Sequence, residues 1–389
     1  MGGDAGCVVP LTLVLRILTG HAILMHVTTT APRERSVEAS SQRTLESLAM
    51  AVGAMAFVVG ALVALIVLQL ESTPISGPGS IGQFSAIGAA AAAILAFVAG
   101  RYIVRVPGHR VGVLDVVDVA ALAFAHAVIA LLTWTLLAVI LERSFIDAVV
   151  FGPAGLVIAG AVIAVTAYVA FFSATHLDLQ LLALVLAVFL VEGVMASMLT
   201  ASDPHWWKDN LSALGMTDDL SALTFNLTLI VAGVIVVTLA RYVTEGIPTP
   251  VARGAARVRA CLIIVGVFLA CVGIFPVDRF FWIHTGFASG MGVAFGILVI
   301  LLPRWVPGLP RGFFSVGWLF IAVIVVLGVF FAIGYYTLTA VELVAGILVF
   351  AWIILFIRNA AALQQDIRDA DGPPSAEAAS WPRTDRSSG

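Results

Sequence analysis

Residues 180–201 read QLLALVLAVFLVEGVMASMLTA, an unbroken apolar run in which Glu192 is the single charge. A bilayer core about 30 Å thick is crossed by roughly 20 such residues in a helix. Lipid offers no partner to backbone N–H and C=O groups, so a segment of this kind folds as a helix that satisfies its own backbone. Similar stretches recur on both sides. After residue 44 the chain holds ten, at about 45–70, 85–104, 116–141, 151–172, 180–201, 220–242, 258–276, 285–303, 313–334 and 337–357. Alternating strands of the barrel type are absent. The expected fold is all-α: a polytopic integral membrane bundle of ten transmembrane helices.

Composition agrees. Of 389 residues, 61% are hydrophobic and 11% charged, against about 25% charged in an ordinary soluble domain. A water-soluble fold cannot hide that much apolar surface, which excludes a soluble enzyme and a disordered chain. Net charge is −3, and Lys208 is the single lysine. Nothing favours nucleic acid as a partner; the partner is the lipid bilayer. Arginine-rich basic charge with abundant Ala, Val and Gly points to a GC-rich bacterial genome, and hence to a bacterial cytoplasmic (plasma) membrane. Cys261 and Cys271 are ten residues apart on one apolar segment, roughly 15 Å in a helix, too far for a disulfide. With Cys7 they read as small buried hydrophobes.

Orientation follows from Lys and Arg. With the N-terminus inside, the cytoplasmic side carries 17 of the 20 basic residues, and only Arg143, Lys208 and Arg279 fall outside. The expectation is N-in and C-in. Residues 1–44 form a cytoplasmic N-terminal arm. Within it, 1–24 read as an over-extended start before Met25, as a surface helix, or as an eleventh span. A four-span half (45–172) precedes a six-span half (180–357). The last segment, 358–389, rich in Pro, Ser, Ala and charge, is expected to be a disordered cytoplasmic tail. Arg101-Tyr102 and Arg241-Tyr242 end the second and sixth spans and hint at a repeat offset by about 140 residues; both pairs also suit interface anchors. The Gly286-x-x-x-Gly290 and Gly292-x-x-x-Gly296 spacings permit close helix approach, within the bundle or at a dimer seam.

Ionisable groups inside lipid are costly and call for a reason. Glu192, Asn226, His284 and Glu342 all fall in the outer half of the bundle by this topology. His126, near the middle of the third span, reads as a buried, hydrogen-bonded structural histidine. Two outer loops add polarity. Residues 201–215 hold Asp203, His205, Asp209 and Ser212; residues 275–284 hold Asp278 and Arg279. Trp206, Trp207, Phe281 and Trp282 fit an interfacial aromatic belt. Asp and neutral His together can ligate a divalent ion, with Asp203, His205 and His284 the candidates, or serve as a general acid–base pair. Alternatively these groups pair with one another and with Lys208 and Arg279, and only hold the loops in place. His284, at a loop–helix junction under water, is expected to contribute little to stability.

The order Leu211-Ser-Ala-Leu-Gly215, Phe225-Asn226-Leu-Thr-Leu-Ile230 with Gly233, Gly273-Ile-Phe-Pro-Val-Asp278 and His284-x-x-x-Ala288 resembles bacterial and archaeal membrane proteins of domain-of-unknown-function family 998. More distantly it is similar to the DRAM-like group. The resemblance covers roughly 180–357. It implies a helical bundle with its motifs gathered at one face, and marks Ser212, Gly215, Asn226, Asp278 and His284 as family-type positions. It implies no reaction, and spans one to four lie outside it.

Three functions follow as expectations. The first is a membrane protein with an outer-leaflet-facing polar cavity, lined by spans five, six, eight and ten, for a lipid-like or amphipathic ligand. The second is a membrane-embedded Asp/His hydrolase or transferase acting on lipid head groups. The third is a proton-coupled transporter using Glu192 and Glu342. The sequence names no cofactor.

Overall fold

The computed structural model describes residues 32–105, 112–244, 247 and 249–370. The chain divides into two units. One comprises Met1–Arg43 and Pro373–Gly389, of which only residues 32–43 are described, as the first turns of a helix. The three readings of residues 1–24 lie outside the described residues. The other unit, Thr44–Gly372, holds everything discussed below.

Among the described residues ten helices are long and apolar enough to cross a membrane. They are α1 (Pro32–Leu68), α2 (Ile81–Ile103), α3 (Val113–Ser144), α4 (Gly152–Thr175), α5 (Leu179–Thr200), α6 (Leu220–Thr244), α7 (Gly254–Ile274), α8 (Phe281–Trp305), α9 (Arg311–Ala332) and α10 (Leu338–Ala370). Each contains one of the ten apolar stretches, so the protein is an all-helical, multi-pass membrane protein. Among the described residues strand is confined to a two-residue antiparallel ladder, β1 (Thr73–Pro74) with β2 (Val149–Val150), which ties the α1–α2 connection to the α3–α4 connection.

Two helices outrun the expected boundaries. α1 begins at Pro32, whose fixed φ suits a first helical position, and continues through Arg, Glu, Ser and Ala residues with no break. α10 continues to Ala370. The segment AALQQDIRDA (361–370) contains good helix formers and meets no Gly or Pro before Gly372-Pro373. Polarity there marks the exit from lipid, and the helix carries on past it. The remaining tail lies outside the described residues.

Side chains cap the starts of α2 and α5. Ser80 Oγ accepts from Gln83 N at the head of α2 (3.0 Å), and Asp178 Oδ1 accepts from Leu181 N at the head of α5 (2.7 Å). Within the bundle α2 packs on α3 and α4, and α5, α6, α7 and α8 pack in sequence order. α10 lies against α9 and α5, and α3 reaches across to α5 and α6. α3 therefore joins the first four spans to the rest. His126 on α3 is held as expected: one ring nitrogen bonds Leu122 O and the other Ser173 Oγ, each at 2.8 Å.

The tightest crossing is between α6 and α7. A Cβ on Gly266 would lie 2.7 Å from Gly233 O, and one on Gly233 would run into Gly266 O. The glycines of α8 differ. Gly290 packs against Phe268, but a Cβ on Gly286, Gly292 or Gly296 would meet nothing within 4 Å. Only one of the four glycines in these spacings is used inside the bundle. Gly292→Val is therefore expected to leave thermal unfolding of the detergent-solubilised protein unchanged. Gly266→Val should lower the melting temperature strongly, because its side chain would run into the backbone of Gly233 and Val237 as well as the Val237 side chain. Equal effects in the two variants would show that this packing is wrong.

Candidate functional site

The connection between α5 and α6 folds back over the helix ends. It forms two short 3-10 turns, Trp206–Lys208 and Leu211–Gly215. The second turn is clasped from three sides. Glu342 Oε2 on α10 accepts from Leu211 N (2.6 Å), and His284 Nε2 on α8 bonds Ser212 Oγ (3.0 Å). From α6, Asn226 Nδ2 donates to Gly215 O (3.1 Å) and Ser221 Oγ bonds Leu214 O (3.3 Å). A Cβ on Gly215 would strike Asn226 Oδ1, so this position has room only for glycine. His284 Nδ1 bonds Phe275 O at 2.8 Å. Neutral His284 would donate from one ring nitrogen and accept at the other, and both are engaged.

Of the sequence candidates, Ser212, Asn226, His284 and Glu342 thus converge, and Gly215 with them. They converge on backbone and on one another and leave the turn filled. His284 is 5% exposed, so the junction under water expected for it is instead a packed interior position.

The other candidates point elsewhere. Asp203 Oδ1 accepts from His205 N within its own turn (2.8 Å), and the two side chains are 60% and 64% exposed. Asp209 is exposed. Asp278 lies 3.7 Å from Arg279, which also pairs with Asp218 at 2.9 Å. Glu192 lies on the far side of α5, where Oε1 accepts from Thr133 Oγ1 of α3 (2.9 Å) and Oε2 is buried without a partner. Among the described residues no three His, Cys, Asp or Glu side chains gather as a metal would require.

Asp219, which sequence reading passed over, fixes the exit of the same loop. Its carboxylate accepts from Ser202 Oγ, Thr217 Oγ1 and Ala222 N at 2.6–3.0 Å. These bonds, the Ser202 one foremost, hold its pKa down to about 2. Its signal is Asp219 one residue before α6, a helix-capping position.

A pocket that sequence reading also missed lies at the opposite end of the helices. It is a cavity of about 620 Å³ where the end of α2, the start of α3, the start of α5 and the end of α6 meet. Its floor includes Leu122 and Leu182, both buried; Arg101, Tyr102, Arg105, Asp115 and Tyr242 also line it. Asp118 is buried in its wall, where it accepts from Thr238 Oγ1 (2.6 Å) and pairs with Arg241 (3.4 Å). Arg101 donates to Ala174 O at 3.2 Å. Of the two Arg-Tyr pairs, Arg101, Tyr102 and Tyr242 line this pocket, and Arg241 reaches its wall through Asp118.

Two outcomes follow. His284→Ala strips partners from Ser212 and from the Phe275 carbonyl, and should destabilise the protein by about 1–3 kcal/mol in thermal or denaturant unfolding; an unchanged midpoint would show that the clasp holds nothing. For Asp219, the folded pKa lies below the ordinary 3.8. Its stabilisation is complete above that ordinary value and fades as pH falls through about 2. Asp219→Ala should therefore cost about 1 kcal/mol at neutral pH, and wild type and variant should converge only near pH 2.

Residues 181–359 match the sequence model of a family described as Protein of unknown function (DUF998). No curated protein and no solved structure matches the chain. The match takes in α5 to α9 and much of α10, and so every residue of the clasp, in agreement with the resemblance carried by the loop motifs.

Proposed function

We propose that this membrane protein binds a lipid-like, anionic amphiphile in the pocket between α2, α3, α5 and α6. One observation carries the reading: an apolar floor under a rim of guanidinium and phenol groups, in a cavity of about 620 Å³. That volume lies in the range of pockets that take whole small molecules. Both carboxylates that line it are engaged: Asp118 by Thr238 and Arg241, and Asp115 by Gly112 N at the head of α3. Arg101 keeps further N–H donors for an anionic head group, and phenols of Tyr102 and Tyr242 add hydrogen bonds beside it. The ligand class is the one expected from the sequence. Its place moves from the outer loops, where the motif side chains are spent on the clasp, to the other end of the helices.

The 17-to-3 distribution of basic residues supports N-in and C-in, and hence a cytoplasmic opening for this pocket. Composition supports a bacterial plasma membrane as its setting. A proton-coupled transporter is the second reading, favoured by the buried, unpartnered oxygen of Glu192 inside a span. It requires substrate uptake that is lost in Glu192→Gln.

For the main reading, purified protein in nanodiscs should melt several degrees higher with phosphatidylglycerol than with phosphatidylcholine alone. Arg101→Gln should remove most of that difference while leaving the melting temperature in phosphatidylcholine unchanged. Equal melting in both lipids for the wild type would defeat the proposal. A reporter fused after Arg257 should read cytoplasmic, and one fused between Trp207 and Asp218 external; the reverse would put the pocket on the outer face.

A further inference from the structure

The anionic pocket is closed on one side and open on another. Leu122, Leu182 and Thr238, from α3, α5 and α6, line it and are at most 3% exposed. Val98 on α2 and Val116 on α3 line the same cavity, yet they are 44% and 56% exposed. An exposed valine on a membrane span is ordinary. One that also lines a cavity with a buried far wall is not, because it joins the cavity to whatever surrounds the helices.

Depth decides what surrounds them. Val98 stands five residues before the end of α2 at Ile103, roughly 7.5 Å along the helix axis. Arg101 and Tyr102 follow it in the last turn. The apolar part of the opening thus lies at hydrocarbon depth. The charged part lies at the level of head groups, where long arginine side chains and tyrosine rings settle. Apolar below and cationic above is the order in which a phospholipid presents its own chains and phosphate.

Building on the pocket reading above, we propose that the opening bounded by Val98 and Val116 is a lateral portal. A bilayer phospholipid places its anionic head group and glycerol in the pocket, and its acyl chains stay in the leaflet across the two valines. Size requires this division. A cavity of about 620 Å³ suits a drug-sized molecule. It cannot take two chains that each fill half of a core about 30 Å thick. A lipid held there must leave its chains outside, and the valines give them apolar surface to lie on. Arg101 is steadied beside the opening by the bond from its Nη1 to Ala174 O, so its remaining donors meet the phosphate without first being ordered. With the N-terminus inside, the leaflet concerned is the cytoplasmic one, whose anionic lipids gather at Lys and Arg. A water-soluble anion with the same head group would gain nothing from Val98 and Val116.

The test uses the full-length protein in phosphatidylcholine nanodiscs containing phosphatidylglycerol with a diazirine on its acyl chain, with labelled peptides mapped by mass spectrometry. Phosphatidylcholine carrying the same diazirine gives the background of ordinary lipid contact. Label from phosphatidylglycerol is expected severalfold above that background on the peptides holding Val98 and Val116. Val98→Trp and, separately, Val116→Trp place a bulky ring across the portal. Each should erase the excess label and the rise in melting temperature that phosphatidylglycerol gives, with the melting temperature in phosphatidylcholine alone retained. Glycerol phosphate in solution should leave wild-type melting unchanged. Equal wild-type melting in the two lipids would defeat the pocket, and the portal with it. A phosphatidylglycerol effect that Arg101→Gln removes would leave the pocket standing. The portal alone would then be overturned by an absence of excess label at these peptides, by survival of the effect in both Trp variants, or by its reproduction with soluble glycerol phosphate.

Discussion

Lipid accepts and donates no hydrogen bonds, and every feature of this protein answers to that constraint. It forces the ten spans into helices. It sends the hydroxyls of Thr166, Thr228 and Thr244 back to their own helix carbonyls. It pairs His126 with Ser173 between α3 and α4, and Glu192 with Thr133 between α5 and α3. In water such groups would find solvent; here each must find a neighbouring helix. The same constraint makes the exceptions informative. A buried hydroxyl or carboxyl oxygen that has found nothing, as at Ser85 and Glu192, stands out because nearly everything around it has.

The spans were legible because their signal is compositional and long-range. Twenty apolar residues in a row mean one thing in a chain with so little charge, and each of the ten stretches lies in its own helix. Helix ends were less legible. Polarity was taken as the end of α10 near residue 357, yet Ala, Leu and Gln continue a helix outside lipid as readily as inside. The glycine spacing of α8 also misled in part. Spacing tells which glycines share a face, but not whether a partner helix lies against that face; Gly292 and Gly296 face open space while Gly233 and Gly266 meet each other.

The outer polar residues were found by depth alone, and depth does not reveal what a side chain bonds. Of the four outer-half residues, Asn226, His284 and Glu342 meet at the loop beside Ser212 while Glu192 turns to Thr133, and the partners at the loop are largely backbone groups: Phe275 O, Gly215 O and Leu211 N. Backbone is invisible to a reading of residue types, so depth alone does not distinguish a clasp from a binding site. Asp118 was passed over for the opposite reason. It sits near a span end among Asp115, Arg101 and Arg105, where charge is unremarkable, and only the fold reveals that Thr238 and Arg241, more than a hundred residues later, close on it.

That closure bears on what the first four spans add. The family match begins at residue 181, and the clasp lies wholly within it. The anionic pocket does not. Leu182, Thr238 and Tyr242 come from the matched part, while Arg101, Tyr102, Asp118 and Leu122 come from α2 and α3 before it. The Arg241–Asp118 pair joins the two parts across the α3–α6 contact. Without α2 and α3 the wall opposite Leu182, Thr238 and Tyr242 would be missing, and with it the cavity at that end. On this reading the clasp is what the matched segment contributes to stability. The pocket belongs to the ten-helix protein, because it exists only where the additional helices dock.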